Sequence, residues 1–126
     1  PSGSEGVPIE RPRLPNASSA YVAEAKLRAY LLSEEHPTGR AKAAFFNRLG
    51  FRRESPIELR AALIAVGEAG ELVARILTRY GMKYVIDGHL AGPTGVSATI
   101  RTVWIIEWGS QRPRLVTAYP APGGAT

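Results

Sequence analysis

The chain has 126 residues, no cysteine, and a formal net charge of +5, from 16 Lys and Arg against 11 Asp and Glu. That length suits one domain with a real core, and the lack of thiols excludes a disulfide framework, a zinc–thiolate site and a Cys nucleophile. No apolar run approaches the roughly 20 residues of a membrane span, and the opening PSGSEG lacks the charged-then-apolar order of a signal peptide.

Residues 1–19, PSGSEGVPIERPRLPNASS, are rich in Pro, Ser and Gly and show neither helical nor strand periodicity, so they read as a flexible linker or tail. With a start at Pro1, this points to a domain from the C-terminal end of a longer protein. The folded domain is expected over residues 20–120, and residues 121–126 as a disordered tail.

A first helix is expected from about Glu24 to Leu32, with Leu27 and Leu31 paired one turn apart and Lys26 near Tyr30 on a neighbouring strip. Ser33-Glu34-Glu35-His36-Pro37 ends it. The residue before a proline is pushed toward extended backbone, so His36 belongs in a turn from which its ring can project over the next helix. That helix runs from about Gly39 to Leu49, with Ala41, Phe45, Phe46 and Leu49 on one face. Lys42 falls inside the same arc. A lysine there either lays its stem along apolar surface or brings its ammonium to a site at the core edge, since lysine is rarely buried unpaired. Arg40, Asn47 and Arg48 take the other side, Gly50 supplies a left-handed helix stop, and Phe51 provides the hydrophobic contact that follows one.

Between His36 and Arg53 lie Arg40, Lys42, Arg48, Arg52 and Arg53 with no carboxylate. From Leu72 onward six Lys and Arg face only Asp87 and Glu107. An anionic partner, nucleic acid or an acidic protein, fits this distribution, and plain solubility charge is the competing reading. Ser55-Pro56-Ile57-Glu58 then carries the signature of a capped helix start, with Ser as N-cap, Pro at the first position and Glu as in a capping box. This third helix extends to about Ala69. Leu59, Ala62, Leu63 and Val66 form its core face, and Gly67 and Gly70 mark its fraying end.

From Glu71 the period changes to two, and four strands are expected at about Leu72–Thr78, Met82–Leu90, Ser97–Glu107 and Arg114–Tyr119. The turns at Tyr80-Gly81, Gly92–Gly95 and Gly109–Pro113 are too short for parallel crossovers. The expected fold is therefore α+β: two to three N-terminal helices packed on a four-stranded antiparallel meander. In the third strand Ala98, Ile100, Trp104 and Ile106 share one side with Thr102, while Ser97, Thr99, Arg101 and Glu107 share the other. The fourth strand alternates weakly, and its helix-facing side is left open.

Phosphate-loop, nucleophile-elbow and paired-His metal signatures are all absent, and the strands carry too few carboxylates for a two-metal nuclease. Asp87-Gly88 reads as turn chemistry, and His89 as structural or exposed. The remaining inventory of a turn-borne His, several Lys and Arg, and Thr and Tyr hydroxyls suits metal-independent RNA cleavage. Such cleavage needs a base for the 2′-hydroxyl proton, an acid for the leaving 5′-oxygen, and cations for the phosphorane. His titrates near neutrality, and Arg grips phosphate through paired N–H donors. The ordinary alternatives are that His36 caps a turn, that Arg101 pairs with Glu107, that Thr102 and Thr117 are strand formers, and that Tyr119 is core edge.

EHPTGRAKAAFFNRLGF, YGMKYVIDG, IRTVWII and PRLVTAYP together resemble an uncharacterised bacterial domain family with the pattern K-L-x-x-Y-L-L, H-P-x-G-x-x-K, W-I-I and P-x-L-V-T. Its members are standalone proteins or C-terminal ends of polymorphic-toxin-like chains, and the match spans about Lys26 to Pro120. The order of helices, early His, basic strand residue followed by Thr, and final T-A-Y-P is also similar, more loosely, to the barnase, EndoU, colicin and RelE group of metal-independent ribonucleases. Carried over by position, this resemblance implies His36 as general acid or base and Lys42 and Arg101 as phosphate or transition-state binders. It makes Thr117 a polar group on the last strand, with Lys26, Thr102 and Tyr119 in support and Arg40, Arg48, Arg52 and Arg53 binding nucleic acid. No second catalytic His occupies a matching position.

The implied function is an endoribonuclease toxin domain acting on RNA, transfer RNA among the candidates, and needing no metal or small-molecule cofactor. An acidic immunity protein is the implied partner, and the implied route is delivery as the C-terminal part of a larger protein into a target-cell cytoplasm, with no membrane partner. The alternative is a non-catalytic basic binding module or adaptor for nucleic acid or an acidic protein.

Overall fold

Beyond Gly70 the two-residue period becomes four strands: β1 (Glu71–Leu77), β2 (Gly81–Ala91), β3 (Ser97–Glu107) and β4 (Arg114–Pro120). A computed structural model of the protein describes residues 12–28 and 37–122, residues 37–42 by their backbone alone. The strands pair in the order β1-β2-β3-β4, every neighbour antiparallel, which is the expected meander. At the first hairpin the Thr78 hydroxyl donates to the Gly81 carbonyl at 2.7 Å and accepts from the Tyr80 and Gly81 N–H groups.

Among the described residues three α-helices precede the sheet: α1 (Glu24–Lys26), α2 (Pro37–Arg48) and α3 (Pro56–Ala69). Residues 27–28 continue α1 with π-helical backbone, and the rest of the expected helix, to Leu32, lies outside the described residues. The stop of α2 forms as its sequence requires. Gly50 has φ of 101°, its N–H donates to Asn47 O at 2.9 Å, and the Phe51 N–H reaches back to Phe46 O at 3.1 Å. Phe51 is thereby buried edge-on against Phe46, at 6.4 Å between ring centroids. Pro56 starts α3, but the Ser55 side chain makes no cap hydrogen bond, so the expected capping box is not formed. Instead the Ser55 carbonyl accepts the Glu58 N–H at 3.2 Å.

Leu59, Leu63 and Val66 of α3 are buried as their spacing predicts. Gly67 is no fraying residue: a Cβ there would stand 2.8 Å from Cζ2 of Trp104. This close approach lays α3 on the face of the sheet formed by Ile86, Leu90, Ile100, Thr102, Trp104, Leu115 and Ala118, all buried. Leu27, Phe46, Leu49 and Phe51 complete the same core. No described helix covers the opposite face.

Two irregularities explain where simple alternation misleads. The β3–β4 register slips between Val103 and Trp104, so that Trp104 faces Leu115 while Val103 faces Thr117. Val116 is the extra residue of a bulge. Leu115 and Ala118 therefore both point inward, whereas Arg114, Thr117 and Tyr119 share the outer face. A second bulge in β1 falls between Leu72 and Ala74.

The chain before α1 departs from the expected tail. Leu14 is 4% exposed and belongs to the core, residues Ala17–Ser19 form a 3-10 turn, and the segment is tied along β4. Tyr21 and Arg114 form a parallel bridge, with Tyr21 N–H donating to Pro113 O and Leu115 N–H to Tyr21 O. The Arg112 guanidinium lies over the Tyr21 ring at 4.4 Å and donates through Nε to Ser19 O at 3.0 Å. The folded body thus includes Leu14 at one end and, at the other, Ala121, which is 6% exposed and donates its N–H to Thr99 O.

Candidate functional site on the uncovered sheet face

Antiparallel register places side chains of the same face directly opposite one another. Asp87 pairs with Arg101, and Arg101 with Tyr119, so the three lie side by side across β2, β3 and β4 on the face away from the helices. Arg101 Nε donates to Asp87 Oδ1 at 2.8 Å and Nη2 to Oδ2 at 2.9 Å, a bidentate fork. About a quarter of each side chain remains exposed. These hydrogen bonds raise the Arg101 pKa above its ordinary value, against the lowering effect of burial, and the Asp87 charge and the Tyr119 phenol add to the rise. The fork uses two of the five guanidinium N–H donors, so Arg101 is fixed in direction yet keeps donors for another anion.

The alternative pairing of Arg101 with Glu107 does not occur, because a direct cross-strand carboxylate is nearer than one six residues along the same strand. Glu107 instead approaches Arg114 at 3.5 Å. Thr117, half-buried, stands on the same outer face one row from Tyr119, opposite Val103. Val85 and Ile105 supply an apolar floor to these rows.

Thr102 is not brought to this face. It points into the helical side and is fully buried, with Oγ1 donating to Ile86 O at 2.9 Å and accepting Trp104 Nε1–H at 2.7 Å. It is a polar joint of the core. Lys26 ends α1 in the helical layer, half-buried. His36 and the side chains of Arg40 and Lys42 lie outside the described residues, and only the backbone of Arg40 and Lys42 is placed, within α2. Arg48, Arg52 and Arg53 are exposed as expected. Arg52 and Arg53 line, with Asn47 and Glu54, a hollow of about 260 Å³.

Sequence reasoning missed Asp87 as the partner of Arg101, while His89 is exposed, one of the two readings given for it. Asp87-Gly88-His89 is no turn but the middle of β2, where Gly88 faces α3 and Asp87 and His89 face outward. The exposed His89 ring lies with Nε2 2.9 Å from Ser97 Oγ. The signal was present in the Gly92–Gly95 turn, because a hairpin closed there sets Ala91 opposite Ser97 and hence Asp87 opposite Arg101. Among the described residues no three His, Asp or Glu side chains gather as a metal ion would require, and no helix is long and apolar enough to cross a membrane.

Residues 13–122 match the model of DUF6883, a domain of unknown function. No curated protein sequence matches the chain. Among solved structures, a chain from the contact-dependent growth inhibition toxin–immunity protein complex of Klebsiella pneumoniae 342 shares the fold. The TM-score is 0.65 at 16% identity, covering 85% of this chain and 97% of that one.

Proposed function

The chain belongs to the DUF6883 family, and from the fold and the uncovered sheet face we propose that it is a bacterial toxin domain that cleaves RNA without metal. The observation that carries this reading is Arg101, held by Asp87 and flanked by Tyr119 on a face that no described helix covers. Two further observations support it: the carboxylate-free basic run ending in exposed Arg48, Arg52 and Arg53, and the fold shared with a chain of a toxin–immunity protein complex.

In this reading the ribose 2′-oxygen attacks the adjacent phosphorus while a base takes its proton. The P–O5′ bond breaks as an acid protonates O5′, leaving a 2′,3′-cyclic phosphate. Arg101 stabilises the charge gathered on the phosphorane oxygens, Lys42 assists, and Thr117 orients the chain of the substrate. An acidic immunity protein is the matching antagonist, and transfer RNA is one candidate substrate. Delivery into a target cell as part of a longer protein completes the proposal.

A second reading, a non-catalytic module for an acidic protein, draws support from one end of the sheet. Leu77, Tyr80 and Trp108 are each more than half exposed there, and Trp108 Nε1 is fixed to Arg79 O at 2.9 Å. Aromatic anchors beside Arg are the residue types that dominate protein interfaces. One experiment separates the two. Purified domain is incubated with bacterial total RNA in excess chelator, and fragment ends are analysed. Fragments with 2′,3′-cyclic phosphate support the toxin nuclease, whereas intact RNA with retained binding to an acidic protein supports the module.

A further inference from the structure

The register that pairs Asp87 with Arg101 also pairs His89 with Thr99, the next row on the same face. His89 is thus the diagonal neighbour of Arg101, with Cα atoms about 7–8 Å apart as such neighbours are in antiparallel sheets. Its ring is exposed but not loose, because Nε2 lies 2.9 Å from Ser97 Oγ. Whichever way that hydrogen points, Nδ1 takes the complementary role of acceptor or donor. An imidazole with one ring nitrogen tied to Ser97 and the other able to take or give a proton therefore stands within one nucleotide's reach of the Arg101 guanidinium. Tyr119 stands beside Arg101 on the opposite strand, so the two proton carriers flank the cation from either side.

Resting on the reading of the domain as an RNA-cleaving enzyme, we propose that His89 is the general base of the reaction and Tyr119 its general acid, on either side of a phosphate held by Arg101. The 2′-hydroxyl proton passes to the imidazole as the O2′–P bond forms. The P–O5′ bond breaks as the phenol gives its proton to O5′, and solvent then returns the imidazolium proton to the phenolate. Ser97 is a positioning residue that fixes the ring. His36, from a different part of the chain, is not needed for this step.

The test uses His89→Gln, whose exposed amide can still meet Ser97 Oγ, so the fold and melting temperature should match the parent. RNA cleavage in chelator should fall about 10²- to 10⁴-fold, the usual worth of a lost proton-transfer group. In parallel, uridine 3′-monophosphate added to ¹⁵N-histidine-labelled protein should shift the His89 ring resonances, and Arg101→Gln should abolish that shift. Undiminished cleavage by His89→Gln would overturn the assignment and leave the nuclease reading standing. A parent that cuts no RNA and a His89 ring that ignores the nucleotide would remove both.

Discussion

Gly67 of α3 and Trp104 of β3 touch so closely that the helix carries no side chain at the contact. A Cβ on Gly67 would meet the indole at 2.8 Å, and Trp104 is fully buried with no room to retreat. Alanine gains about 1 kcal/mol over glycine inside a helix, but overpacking a core costs about 1–3 kcal/mol. Gly67→Ala should therefore be destabilising on balance, read as a lower urea midpoint with a shifted Trp fluorescence maximum.

The hydroxyl of Thr102 both receives the Trp104 indole N–H and donates to a carbonyl of β2. Thr102→Val keeps the shape and strands the buried indole N–H, at a cost of about 1–3 kcal/mol. Thr102→Ser keeps both hydrogen bonds and should lose less. Thermal unfolding of the pair, compared with the parent, distinguishes a core joint from a site residue, since neither change touches the outer face.

Asp87→Asn weakens the fork that orients Arg101. Hydrogen bonds to charged groups are worth about 1.5–3 kcal/mol, and exposure of both partners brings the expected loss to roughly 1 kcal/mol. A double-mutant cycle with Arg101→Gln should show the two losses to be non-additive. A purely additive result would mean that the fork does not hold the guanidinium in solution.

Arg48 and Arg52 are exposed, so replacing both by Glu should change stability by no more than about 0.5 kcal/mol. RNA affinity of the parent should fall steeply with salt through counterion release, and the double variant should bind more weakly with a shallower salt slope. Binding measured from low to physiological salt checks both.

Much of this architecture was legible because its determinants are local. Gly50 followed by Phe51 wrote the stop of α2, Pro56 the start of α3, and three glycine-marked turns fixed the meander and every strand within two residues. Illegible features depended on contacts between distant parts. Nothing near Val116 announces a bulge, so the phase of β4 emerged only from its pairing with β3. Leu14 lies in a Pro- and Ser-rich stretch without periodicity, yet is buried by the body of the domain. At the site, Arg101 stands out as a basic strand residue, whereas its partner Asp87 is hidden by an Asp-Gly pair that resembles a turn.

The strap of residues before α1 bears on the order in which the protein folds. Each hairpin of the sheet closes a turn of a few residues, but the contact of Arg112 with Ser19 joins positions 93 apart. Loop-closure entropy grows with that separation, and contacts distant in sequence form slowly. The meander should therefore zip first and the strap dock onto β4 after the rate-limiting barrier. Leu14→Ala, which deletes a buried side chain of the strap, should then leave the refolding rate nearly unchanged and accelerate unfolding, the pattern of a position whose contacts are absent from the transition state. In stopped-flow chevrons only the unfolding limb would move, so the strap acts as a latch on the native state.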